Sequence, residues 1–240
     1  MPKERLDKIL ASQNLGSRRE VGTMIRHGAV TVNGVPARRA EEKADPETDV
    51  IAVSGKQISF KRYLYIMMNK PAGVLSAARD SRAHTVVDLL PPELLRRGLF
   101  PAGRLDKDTR GLLIITDDGD FAHKLLAPKS YVYKWYEADL DACVTEEDIR
   151  AFSDGIMLRE MQCLPAEMKL LNREGTKALV KIREGKFHQV KRMFVARGKT
   201  VLGLKRIRIG DLELDQNLEE GAARELTDQE KERLFIPYME

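Results

Sequence analysis

Cysteine is scarce in this chain: Cys143 and Cys163 stand alone, with no Cys-x-x-Cys spacing and no histidine cluster nearby. That excludes a disulfide framework and a zinc site, and both thiols read as small core residues. No apolar run approaches the ~20 residues that span a bilayer. The start, Met1-Pro2-Lys3-Glu4-Arg5, lacks the apolar stretch of a signal peptide, so a soluble, cytoplasmic protein is expected. Also missing are Gly-x-Ser-x-Gly, a Walker loop and Gly-x-Gly-x-x-Gly, which leaves hydrolase, NTPase and dinucleotide readings without support.

The chain does have length and apolar content for a core. Its 240 residues, 42% hydrophobic, accommodate one domain of ordinary size and a small one. The net charge of +4 is unevenly spread: residues 1–62 hold 12 Lys/Arg against 8 Asp/Glu, whereas the rest hold 29 of each. A second basic stretch runs from Lys181 to Arg208, where ten basic residues meet one acid, Glu184. Clustered cations in a balanced chain fit a polyanionic partner, because binding releases its counterions. A solvated charged surface is the other reading.

Leu6, Ile9 and Leu10 have helical spacing. A second helix is expected from Ser17, with Glu20 completing a capping box and Val21, Met24 and Ile25 forming its apolar stripe. Gly28 ends it, and Ala29 to Val32 reads as a strand entering a hairpin turn at Asn33-Gly34. Arg18 and Arg19 oppose the macrodipole in the first turn of that helix. Beside free N–H donors they make a phosphate-binding corner, with Arg26 and His27 at the far end. Through Arg5-Leu6-Asp7-Lys8, Ser17-Arg18-Arg19 and Gly28 to Gly34, residues 3–50 resemble the RNA-binding domain named after ribosomal protein S4. The resemblance implies docking on structured RNA by shape and backbone, with Arg5, Arg18, Arg19 and Arg26 as contacts. Ser54-Gly55-Lys56-Gln57 and Lys61-Arg62 mark a boundary near residue 60, giving domains 1–59 and 60–240.

In the larger domain, Tyr63 to Met68 reads as a buried strand closed by the turn Asn69-Lys70-Pro71-Ala72-Gly73. A short helical stretch is expected around Val86 to Leu90. Then Phe100 to Gly119 places Asp106 on a glycine-bent turn between Arg104 and Lys107, just before an apolar strand, Leu112 to Thr116. Asp117-Asp118-Gly119-Asp120 caps a helix from Phe121 to Leu126 and lacks the oxygen spacing of a calcium loop. Tyr131 to Leu140 alternates as a strand that puts Val132, Lys134, Tyr136, Ala138 and Leu140 on one face. Tyr136 is there either a core residue or a ring offered to a ligand. A strand from Ala178 to Ile182 leads to a helix carrying Val190, Met193 and Phe194, ended by Gly198, with Lys191 off its apolar stripe.

Gly103-Arg104-Leu105-Asp106, Asn69-Lys70-Pro71-Ala72-Gly73, Lys134-Trp135-Tyr136 and Gly185 to Met193 together resemble the pseudouridine synthases of the RsuA type. The resemblance spans nearly the whole chain. It implies an α+β catalytic domain with a central, mostly antiparallel sheet, and isomerisation of uridine to pseudouridine in ribosomal RNA. Asp106 is the catalytic residue by this resemblance, Tyr136 packs against the target base, and Lys191 pairs with Asp106 and keeps it ionised. His188 holds its loop rather than serving as a base. Because the reaction exchanges no electrons, one carboxylate and one aromatic suffice, and neither cofactor nor metal is expected. Asp106 attacking the sugar, attacking the base or removing a ribose proton all remain open. The stacked nucleotide must be flipped out, with Arg104 filling its gap or gripping its phosphate, and with Lys107, Arg110, Lys186 and Arg192 as further RNA contacts.

Two positions depart from the family pattern: Arg110 replaces a small Ser or Thr, and Ala77-Ala78 replace polar residues. With no long basic tail, the expected target is small-subunit (16S) rRNA, met by a monomer within an assembly intermediate. A large-subunit (23S) target and a non-catalytic assembly factor are the alternatives. A magnesium phosphohydrolase built on Asp106 and Asp108 has its strand on the wrong side of the acids.

Overall fold

The computed structural model describes residues 3–236. The chain divides into two compact units, residues 1–63 with 95–98, and residues 64–94 with 99–240. The division falls four residues beyond the expected boundary. The short 95–98 segment also belongs with the first unit, where Arg96 donates to the carbonyls of Lys61 and Arg62.

In the first unit, helix α1 (Leu6–Ser12) and helix α2 (Arg18–Arg26) bury Leu6, Ile9, Leu10, Val21 and Ile25 against Val30 and Ile51. The capping box expected at Ser17 and Glu20 is formed. Asn33 (φ 51°) and Gly34 (φ 79°) are both left-handed, the geometry of a two-residue hairpin turn between Val30–Val32 and Val35–Pro36. Ile51–Val53 and Lys56–Gln57 complete a four-stranded sheet.

The second unit is built on a nine-stranded mixed sheet. Its main path runs Glu167–Leu170, Lys177–Ile182, Lys134–Leu140, Val201–Ile209, Arg110–Thr116, Tyr65–Lys70, Ala223–Glu225. Neighbours are antiparallel except Val201–Ile209 with Arg110–Thr116, which are parallel and joined through two residue pairs, Lys205 with Arg110 and Arg206 with Gly111. Gly111 (φ 98°) is required there, because a Cβ would fall 2.2 Å from the Arg206 carbonyl oxygen. Helices α3 (Gly119–Leu126), α4 (Glu146–Asp154), α5 (Gln189–Ala196) and α6 (Asp228–Arg233) flank the sheet. Asp118 caps α3 by accepting from Phe121 N, in line with the polar-turn reading.

Four local expectations change, beginning with the thiols: Cys163 is buried as expected, but Cys143 is exposed and not a core residue. The first strand runs from Tyr65 to Lys70, so Asn69 and Lys70 are buried strand residues and not turn. Val86 to Leu90 forms turns and not a helix: Asp88 caps Thr85, and Pro91-Pro92 block propagation. The strand expected from Tyr131 begins at Lys134, because Tyr131 is left-handed (φ 52°) and breaks the extended run.

Candidate active site

Asp106 sits on the loop that enters the Arg110–Thr116 strand, and the protein fixes this loop from beneath. Ser76 Oγ donates to Leu105 O at 2.8 Å and accepts from Leu105 N at 3.1 Å. Gly73 N donates to Lys107 O. The ammonium of Lys70, fully buried, donates to the carbonyls of Pro71 (2.9 Å), Lys107 (3.2 Å) and Thr109 (2.9 Å). Its three N–H donors thus clamp backbone on both sides of Asp108. Burial pushes the Lys70 pKa down to about 8, opposed by the charges of Asp108 and Asp106.

The N-terminal part of α5 faces this loop. Lys191 Nζ lies 3.2 Å from Asp106 Oδ2 and 2.6 Å from Asp108 Oδ1, so one ammonium bridges two carboxylates. Burial disfavours its charge, but hydrogen bonds to Asp108 and Asp106 outweigh it and hold the Lys191 pKa above the ordinary value. The same hydrogen bond pulls the Asp108 carboxyl below the usual range. His188 Nε2 stands 3.4 Å from Asp106 Oδ1. Its left-handed conformation (φ 49°) at the N-cap of α5 aims the ring back over the loop, with the exposed Phe187 stacked on it at 3.8 Å.

Tyr136, on the Lys134–Leu140 strand, closes the opposite side. Together with Arg104, Asp106, Thr109, Lys186 and His188 it lines a cavity of about 70 Å³. Thr109 Oγ1 is buried there without a hydrogen-bond partner. A carboxylate, a paired ammonium and an aromatic ring around one small space suit nucleophilic work on a ring turned out of its stack. Among the described residues, no group of three or more His, Cys, Asp or Glu could hold a metal ion.

The remaining residues singled out from sequence are dispersed. Lys107 and Lys186 are exposed beside the cavity, whereas Arg110 faces Glu220 at 3.5 Å and Arg192 pairs with Glu160. Those two guanidinium groups already have carboxylate partners. In the first unit, Arg5 and Arg18 both bind the buried carboxylate of Asp7, at 3.1 and 2.7 Å. Burial alone would raise the Asp7 pKa, and these two cations draw it below the ordinary value. The unfavourable placement of Arg18 therefore has an internal cause, in addition to any role with RNA. Arg26 donates to Thr23 Oγ1, and Arg19 is exposed.

Sequence reasoning set aside three groups that the fold brings to this site. Lys70 lies in a motif that resembles the family's but reads locally as a turn, Asp108 figures only in the rejected phosphohydrolase reading, and His188 is expected to hold its loop. Lys70 and His188 carry a signal, through that motif and through a helix start at Gln189 that puts its cap beside Lys191.

Residues 64–196 match the RNA pseudouridylate synthase family, and residues 4–51 match the S4 domain. The uncharacterized RNA pseudouridine synthase YtzG of Bacillus subtilis is 45% identical, the alignment covering 97% of this chain and 99% of that one. Ribosomal small subunit pseudouridine synthase A of Vibrio cholerae is 40% identical over 94% and 97% of the two chains. Ribosomal large subunit pseudouridine synthase B of Bacillus subtilis is 39% identical over 96% and 95%. A crystal structure of a pseudouridylate synthase superposes with a TM-score of 0.67 at 36% identity, covering 96% of this chain and 99% of that one. The chain belongs to the RNA pseudouridine synthase family and carries an N-terminal S4 domain.

Proposed function

We propose that this enzyme converts a defined uridine of ribosomal RNA to pseudouridine, with small-subunit (16S) rRNA as its target and Asp106 as the nucleophile. The observation that carries the chemistry is Asp106 held between Lys191 and His188, opposite the ring of Tyr136. The bond from ribose carbon 1′ to nitrogen 1 breaks, the uracil turns, and carbon 1′ rejoins through carbon 5; carbon 5 gives up its proton, nitrogen 1 takes one up, and the bond made to Asp106 is broken again before the product leaves. Lys191 holds the Asp106 carboxylate in position, Tyr136 holds the loose ring, and Arg104 occupies the gap left by the flipped nucleotide. A protein that merely clamped RNA would gain nothing from placing carboxylates in its groove.

The small-subunit target is supported by the 40% identity to the Vibrio cholerae small-subunit enzyme. The 39% identity to a large-subunit enzyme favours 23S rRNA as the second reading. Unmodified 16S and 23S rRNA, incubated separately with the protein and mapped chemically for pseudouridine, decide between them. A single new site in 16S rRNA is expected, absent with Asp106→Asn although that variant still binds the RNA. Modification confined to 23S rRNA would reject the small-subunit target, and turnover by Asp106→Asn near the parent rate would remove Asp106 from the mechanism.

A further inference from the structure

Next to the Asp106 cavity, and sharing Arg104, Tyr136 and Lys186 with it, lies a larger cavity of about 660 Å³. Its walls carry six cations, Arg104, Lys129, Lys134, Arg183, Lys186 and Arg206, against one acid, Glu184. That acid is already engaged, because Glu184 Oε1 accepts from Leu164 N and Gln189 Nε2. Most of these cations lie at or near the surface, where solvent and salt screen them. Lys134 and Arg206 do not.

Arg206 is 5% exposed. Its Nε donates to Leu112 O at 2.8 Å, while its Nη2 is buried with no hydrogen-bond partner. Lys134, half-buried, has neither a hydrogen bond nor a carboxylate partner among the described residues. The two are neighbours by construction, since Arg206 lies opposite Tyr136 in the sheet and Lys134 precedes Tyr136 by two residues, on the same face. Burial first, and then the charge of Arg206, bring the Lys134 pKa down to about 8. Two cations withdrawn from water without a counter-charge weigh against folding, and they also repel each other. The target base gives no reason for such a pair, because uracil and the ribose hydroxyls are neutral near pH 7. The phosphodiesters of the RNA strand carry the missing charge.

We propose that Lys134 and Arg206 form the seat of one backbone phosphate of the substrate RNA, adjoining the nucleotide held against Tyr136. The assignment rests on the reading that the Asp106 cavity takes the flipped uridine. A phosphate between the two side chains receives charge-assisted hydrogen bonds from both, and it supplies the acceptor that Arg206 Nη2 lacks. The seat fixes the strand beside the reacting sugar, whereas the exposed Lys129 and Lys186 add steering that salt weakens.

The test uses the full-length protein and the rRNA fragment that the parent enzyme modifies. In a series of such fragments, each linkage near the target uridine is replaced in turn by an uncharged methylphosphonate. One linkage should be outstanding, its neutralisation lowering affinity about tenfold, in keeping with a lost hydrogen bond between charged groups. Lys134→Met should bind the unaltered fragment more weakly, with a shallower salt dependence, and should lose clearly less than the parent at that one linkage, where Arg206 alone remains. Its Tm without RNA should stay at or above that of the parent, since an unpaired buried charge is gone. Lys134→Gln replaces it if the methionine variant does not fold. A parent with one sensitive linkage that remains equally sensitive in Lys134→Met overturns the phosphate seat alone. A parent indifferent to every linkage overturns the placement of the strand in this cavity as well.

Discussion

A single ammonium, that of Lys70, ties the loop bearing Asp106 to the sheet through three carbonyl groups. Its pKa of about 8 lies below the ordinary 10.5, so the folded protein loses this proton before the unfolded chain does. Between those values the unfolded state binds more protons, and the stability contributed by this site rises with pH. The clamp itself weakens over the same range, as a neutral amine donates one hydrogen bond fewer. At saturating RNA, kcat should therefore fall above about pH 8 while Tm shows no parallel drop from this group. A kcat that stays flat to pH 10 would mean that the loop holds its geometry without the charge. Residues such as Lys70 are hard to read from sequence, because a lysine before Pro-x-Gly looks like a solvated turn. Its burial depends on carbonyls of Lys107 and Thr109, nearly forty residues away in the chain. Asp106 and Lys191 were legible because each lies in a motif that resembles the family's, and the fold sets them 3.2 Å apart.

Helices and strands were legible wherever local chemistry determined them. Ser17 and Glu20 announced the start of α2, Asn33-Gly34 the hairpin, and Asp118 the start of α3, each through a bond closed within a few residues. The failure at Asn69-Lys70 was non-local and that at Tyr131 came from a single backbone angle, whereas at Val86 to Leu90 the local bond from Thr85 to Asp88 and the prolines outweighed the apolar spacing. One element junction was invisible in the sequence. Asp148, on α4, accepts hydrogen bonds from Thr145 at its own N-cap and also binds Arg197 (2.8 Å) and Lys199 (2.5 Å), just beyond the C-terminus of α5. Burial opposes its charge, but these partners hold its carboxyl far below the usual range. Because the folded value is depressed, this stability is present above about pH 4 and drains away as the medium becomes more acidic. Asp148→Asn leaves the buried Lys199 without its carboxylate and should cost about 3 kcal/mol. Urea unfolding at pH 7 measures the loss, and a difference under ~0.5 kcal/mol would show that the cluster is energetically idle. The gap between variant and parent should narrow as pH falls.

For the whole molecule, the proposed function predicts that chemistry and anchorage separate along the chain. The S4 unit holds the early basic excess, and part of that charge serves the fold, since Arg5 and Arg18 neutralise Asp7. Arg19 is exposed and has no carboxylate partner among the described residues, which makes it the better candidate for a phosphate contact. Deleting residues 1–59 should weaken rRNA binding and flatten its salt dependence, with Arg19→Ala reproducing about one unit of that change in slope. A truncated protein that keeps the full slope of log affinity against log salt would make a protein partner the likelier role of the unit.

The parallel seam of the large sheet carries a further consequence. Six or seven residue pairs join the strands on either side, yet the two halves meet through two pairs alone, at Gly111 and its neighbour. Arg206 spans this seam with its guanidinium, and the Asp106 loop springs from its edge. Amide exchange with heavy water should accordingly start as an opening along this line, ahead of the strands flanking it. Where the fabric of the sheet is thinnest lies the loop that carries Asp106, the residue proposed to meet the nucleotide.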